Sequence, residues 1–180
     1  MRKVVFLVVL VGILGIVLQY NYGTPGESIV DRVRAKAVVL DFDSLNPETT
    51  PAQIQQSWHH LHYTCVPEYG PLGNHVCWAP ISDFNAIEAR IIAFFFRDGH
   101  LSVVRVSFAP ENHPKIFSLL EKRVGPTQVF GAKRDSYGKN IGGWTRLLGV
   151  VAVNDQVGPK QEALVLWLSR DQVLKKGLGI

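Results

Sequence analysis

The chain is expected to fold as α+β, with helices packed on an antiparallel sheet of about four strands. The expected order is helix, strand, strand, helix, strand, strand, behind one N-terminal transmembrane helix. Three stretches carry this expectation. Ala89 to Phe108, ARIIAFFFRDGHLSVVRVSF, places two β-rich runs around Asp98-Gly99, a pair that favours a tight type I′ hairpin turn. Asn112 to Gly125 has the spacing of an amphipathic helix. Val4 to Tyr20 is a seventeen-residue run in which Gln19 is the one strongly polar residue.

If Asp98 and Gly99 are the whole loop, the hairpin register follows. Arg97 faces His100, Phe96 faces Leu101, Phe95 faces Ser102, Ala93 faces Val104, Ile91 faces Val106 and Ala89 faces Phe108. Side chains alternate along a strand. Phe95, Ala93, Ile91, Val104, Val106 and Phe108 are therefore expected on one face. Phe94, Phe96, Leu101 and Val103 are expected on the other, followed by Arg105, Arg90 and Glu88.

In chain order, Arg2 and Lys3 precede the apolar run. Seventeen residues is at the short limit for a bilayer core of about 30 Å, and longer than the usual signal-peptide core of about 7–15 residues. No Ala-x-Ala-like cleavage site follows, so residues 1–22 read as an uncleaved signal anchor, with Tyr20 and Tyr22 as interfacial aromatics. The alternative is a signal peptide that is removed, leaving a secreted protein. Residues 23–50 read as a membrane-proximal linker. Glu27 to Ala37 fits a modest helix, Val38 to Phe42 a short strand or the end of that helix, and Ser44 to Pro51 is loop.

The globular part is expected over 51–170, from a chain long enough for one ordinary core. Thr50 reads as an N-cap with Pro51 at the first helical position, the helix running to about His62 with Ile54, Trp58 and Leu61 on one side. Tyr63 to Pro80 holds both cysteines among proline and glycine and reads as irregular backbone stapled by a Cys65–Cys77 disulfide. Opened by His113-Pro114, the second helix turns Ile116, Phe117, Leu120 and Val124 inward. Lys122 and Arg123 sit in its last turn, and Gly125 and Pro126 end it. Gly131 to Gly143 reads as a polar, Gly-rich loop. Trp144 to Val153 and Glu162 to Ser169 read as a second strand pair, and 171–180 as a tail. The two halves have the look of a loose duplication, with no residue-level match.

The composition excludes some functions. Without Arg2 and Lys3, the remaining 17 basic against 15 acidic residues leave +2, spread too evenly for a nucleic-acid surface. No G-x-S-x-G elbow or phosphate-loop order is present, and no catalytic residue or cofactor is assigned. Asp41 and Asp43 share the i, i+2 spacing of a strand face, in a short solvated segment. His59, His62 and His75, near Cys65 and Cys77, form a weak candidate metal cluster, because imidazole and thiolate suit zinc. Their spacing fits no established ligand pattern, and cysteines joined as cystine cannot ligate. Lys133, Arg134 and Lys139 form a weak candidate anion-binding loop. The Phe94, Phe96, Leu101 and Val103 face is the candidate interaction surface, since one helix covers one side of a sheet.

These readings converge on a single-pass protein anchored in the cytoplasmic membrane through residues 4–20, with its domain in a periplasm or equivalent exoplasmic space. An isolated cysteine pair behind a membrane-targeting segment points to an oxidising compartment. The expected function is a binding or assembly module that contacts another envelope protein or ligand. The alternative is a small hydrolase or metal-dependent enzyme using His59, His62 and His75.

Overall fold

The structure, a computed structural model, describes residues 35–134 and 140–175. The apolar run at 4–20 and nearly all of the expected stand-off helix at 27–37 lie outside the described residues. Among those described, no helix is long and apolar enough to cross a membrane.

The expected four-strand fold is overturned: ten strands form one mixed sheet. In chain order the elements are β1 (Lys36–Val38), a 3-10 turn (Phe42–Ser44), α1 (Pro51–Ser57), β2 (Thr64–Gly70), β3 (Gly73–Phe84), β4 (Ile87–Glu88), β5 (Ile91–Arg97) and β6 (His100–Phe108). A second 3-10 turn (Pro110–Asn112) leads into α2 (His113–Val124), β7 (Gln128–Arg134), β8 (Asn140–Thr145), β9 (Gly149–Asn154), β10 (Ala163–Ser169) and α3 (Arg170–Lys175). The strand order is β1-β3-β5-β6-β10-β9-β8-β7, with β2 and β4 also paired to β3. β1 runs parallel to β3, and the other pairings are antiparallel.

The topology shows a repeat. α1 followed by β2, β3, β5 and β6 is matched by α2 followed by β7, β8, β9 and β10. The two meanders meet where β6 pairs antiparallel with β10, from Ala163 opposite Phe108 to Leu168 opposite Val103. The duplication is one of element order and strand order about the β6–β10 junction.

Two stretches expected as loops supply most of the additional strands. Tyr63 to Pro80 is β2 and most of β3, and part of Gly131 to Gly143 belongs to β7 and β8. Pro80 is tolerated inside β3 for a specific reason. The Ile81 N–H donates to Arg90 O at 2.9 Å, so the Pro80 nitrogen points to the opposite edge. There, β2 pairs as far as Trp78 and β1 begins at Ile81, so the missing N–H falls in the gap between two partner strands.

The Asp98-Gly99 turn forms with positive φ at both residues, 54° and 84°, as a type I′ turn requires. The register beyond it is corrected by one residue. Phe96 faces Leu101, but Phe95 faces Val103 and Phe94 faces Val104, which leaves Ser102 as the extra residue of a β-bulge. Its hydroxyl lies 2.5 Å from Leu72 O and 2.9 Å from Phe95 O, partners that hold the bulge in place. A one-residue slip exchanges the two faces of a strand. Phe94 and Ile92 therefore lie with Val104 and Val106, and Phe95 and Ala93 with Val103.

The main core lies on one face of the sheet. Ile54 and Leu61 after Thr50, and Ile116 and Leu120 of α2, pack there with Phe94, Phe96, Val104, Val106, Phe108, Trp144 and Trp167. α1 begins as expected, with a capping box in which Gln53 N donates to Thr50 Oγ1 and Thr50 N donates to Gln53 Oε1. It ends at Ser57, not near His62, because Trp58 leaves the helical conformation at φ −122° and ψ 49°. Val38, Leu40, Phe42 and Leu45 are buried in the same core, so the chain enters the fold well before residue 51. The side chain of Asn85 ties this segment down, donating to Leu40 O at 3.0 Å and accepting from Leu40 N at 3.1 Å.

Asp41 and Asp43 have separate structural roles. Asp41 caps the 3-10 turn by accepting from Asp43 N at 3.0 Å. Asp43 pairs with Arg146, whose Nε donates to Oδ1 at 2.6 Å and whose Nη2 meets Oδ2. The Arg146 guanidinium holds the Asp43 carboxyl below its ordinary value. A depressed folded-state pKa contributes stability above the unfolded value, lost as pH falls through the folded one. Asp43 is 46% exposed, so solvent screening limits the contribution to about 1 kcal/mol or less. Asp43→Asn is expected to lower stability by that amount at neutral pH and to converge on the parent as pH falls through the lowered folded-state pKa of Asp43. Urea unfolding of both proteins across the acid range measures the difference.

Candidate functional site

The first site forms where α1 meets the edge of the sheet. Cys65 on β2 and Cys77 on β3 are directly opposite in the ladder and are joined by a disulfide, with their Cα atoms 4.0 Å apart. Such a close approach belongs to the non-hydrogen-bonded pairs of an antiparallel sheet. His75 lies two residues before Cys77 and projects from the same face, with Nε2 at 3.6 Å from Cys77 Sγ. The Gln55 side-chain amide on α1 donates to Cys65 Sγ at 3.2 Å. Cys77 is fully buried, whereas Cys65 and His75 are half-buried.

An aromatic wall backs this corner. Trp58 stacks on Phe94 with ring centres 5.4 Å apart, and Tyr63 meets Phe94 edge-on at 6.2 Å. The His75 ring stands 6.1 Å from Phe96. Burial raises the Tyr63 phenol above its ordinary value, so it stays protonated at neutral pH.

The expected histidine cluster is divided. His75 joins the cysteines, and their donor atoms all lie within 4.8 Å of one another. His59 and His62 are exposed and fall outside that group, the one set of three metal-capable side chains found among the described residues. The His59 ring lies against His60, 5.9 Å between centres. With its sulfurs bonded to each other, the corner holds cystine and not two thiolate ligands.

The expected interaction surface is not a surface. Phe94, Phe96 and Val103 are fully buried and Leu101 is 1% exposed. They do not share a face either, since the Ser102 bulge sends Val103 to the opposite side. Of the expected anion-binding loop, Lys133 and Arg134 have their backbone in strand β7, and Lys139 lies outside the described residues.

The second site is the sheet face opposite α1 and α2. One end is covered: Val173 of α3 and Leu72 of the β2–β3 turn pack on Val76, Phe95, Val103, Val150 and Leu168. The Gln172 amide of α3 donates to Pro71 O at 2.6 Å, which joins the two covering pieces. The neighbouring rows are partly exposed, with Ala93 and Ser107 buried within them. Trp78, Ala93, Arg105 and Leu166 are adjacent across four strands, as are Pro80, Ile91, Ser107 and Leu164. Trp78, Pro80, Ile91, Leu164 and Leu166 are all half-buried. Arg105 lies among them, its guanidinium 5.6 Å from the centre of the Phe95 ring. Leu164 and Leu166 lie in a continuous apolar run, ALVLWL, which does not tell one face of its strand from the other. The other half of the face was hidden because Trp78 and Pro80 sit in a stretch read as irregular.

No protein-family model, curated protein or solved structure matches the chain.

Proposed function

We propose that the chain is a membrane-anchored binding module that works outside the cytoplasm and docks a protein partner on the second sheet face. The observation that carries this reading is the half-buried apolar field of Trp78, Pro80, Ile91, Leu164 and Leu166 around Arg105. An antiparallel sheet with one packed and one solvated face usually alternates apolar with polar residues. Here the rows carry large apolar side chains that keep part of their surface exposed, and an apolar surface of this kind favours a partner. A partner with its own apolar residues around one carboxylate complements this field, the carboxylate meeting Arg105. The Cys65–Cys77 disulfide supports an oxidising compartment, and the apolar run at 4–20 supports the anchor.

A photo-reactive residue in place of Leu164, in the full chain in its native membrane, tests the reading. One discrete cross-linked species is expected, absent when the same residue replaces Lys122 on α2 and at least about tenfold weaker with Arg105→Glu, since buried charge reversal at an interface costs several kcal/mol. Identical products from both positions, or adducts indifferent to Arg105, would sink the proposal.

A further inference from the structure

We propose that the Cys65–Cys77 cystine is the oxidised, closed form of a zinc site, which Cys65, Cys77 and His75 make once the bond is reduced. This inference goes beyond the docking function, since the cluster lies on the helix-bearing face and the docking rows on the other.

Three features point to zinc. The donor atoms already lie within 4.8 Å of one another. Their placement comes from the ladder and not from a loop: Cys65 is opposite Cys77, and His75 is the next residue on the same face of β3. Two thiolates and one imidazole form a donor set that suits Zn²⁺, with a fourth position left for water or an external ligand. Cys65 and His75 are half-buried, so that position is reachable from solvent. Zinc–sulfur distances of about 2.3 Å in tetrahedral geometry place two sulfurs about 3.8 Å apart. The Gln55 amide that donates to Cys65 Sγ becomes an outer-sphere donor to a thiolate, the kind of contact that orients a ligand.

The chemistry balances. A dithiol reductant delivers two electrons and two protons to the cystine, and its own sulfurs join as a disulfide. Zinc then replaces the two thiol protons, which leave to solvent. The cross-link between β2 and β3 changes from sulfur–sulfur to sulfur–zinc–sulfur, so the edge strand stays tied in both states.

The test uses the full chain, reduced with a phosphine without oxygen and titrated with Co²⁺ alone, then with Zn²⁺. Expected is one Co²⁺ per chain, with thiolate-to-cobalt charge transfer and the d–d bands of a four-coordinate ion, all bleached by Zn²⁺. The oxidised chain should show none of this. Gln55→Leu should weaken binding about tenfold, in the range for outer-sphere partners, and His75→Ala should weaken it more, since it removes a ligand. Circular dichroism follows the fold throughout. Loss of the cobalt spectrum in a folded reduced chain overturns the proposal, as does unchanged affinity in His75→Ala. A reduced chain that unfolds and is not restored by Zn²⁺ overturns it equally.

Discussion

Replacing Phe94 with alanine is expected to destabilise the fold by about 3–5 kcal/mol, the range for removing a fully buried aromatic ring. Phe94 has no exposed surface. It is the surface on which Trp58 stacks and against which Tyr63 packs edge-on, so its ring joins the end of α1 and the approach to β2 to the centre of the sheet. In the ladder it lies between Cys77 and Val104, two positions that cannot move to fill the space. The cavity term therefore adds to the lost transfer energy. Denaturant unfolding of the purified, oxidised chain should show a lower midpoint with an unchanged slope, as expected when stability changes and the exposed surface does not. A loss below about 1 kcal/mol would mean that the site collapses around the missing ring, and that the Trp58–Phe94–Tyr63 stack is not a keystone of this core.

Breaking the Cys65–Cys77 bond is the second large effect. The loop-entropy relation puts the cost at about 2–3 kcal/mol for a loop of this length. The damage should begin locally. β2 is an edge strand whose one partner is β3, and its register is already irregular between Pro67 and Gly70. β5 and β6 are held on both sides. In the reduced chain, amide hydrogen exchange should rise first over Thr64–Gly70, while the central strands keep their protection, as expected for local opening below the global limit. Uniform loss of protection over β2, β5 and β6 would show that the bond stabilises the whole fold at once. With zinc present, the proposed metal cross-link should restore protection at β2. Exchange thus reads the same corner by a route independent of the cobalt spectrum.

Much of the local structure was legible in the residues. Asp98-Gly99 specifies its turn because both positions require positive φ, and Thr50-Pro51 with Gln53 specifies a helix start through its own hydrogen bonds. His113 to Val124 forms a helix along its full length, with Gly125 at φ 102° as its C-cap. The cysteine pair was legible as well. The turn and cap signals are complete within a few residues, whereas the cysteines lie 12 residues apart and meet through the β2–β3 ladder.

Sequence alone thus determined the Asp98-Gly99 turn and the helix caps, since each depends on contacts between near neighbours, and it pointed to the cystine through the isolated cysteine pair. Tertiary structure decided how many strands there are, which face each carries outward, and where the two candidate sites lie. Pro67, Gly70 and Pro80 argued locally against strand, yet β2 and β3 form there because cross-strand pairing satisfies their backbone. The hairpin register turned on Ser102, whose bulge is held by Leu72 O, a partner 30 residues away. With the bulge in place, Phe94 lies in the main core and Arg105 on the opposite face of the sheet. No local pattern could contain it, because a bulge is a property of two strands and of what packs across them.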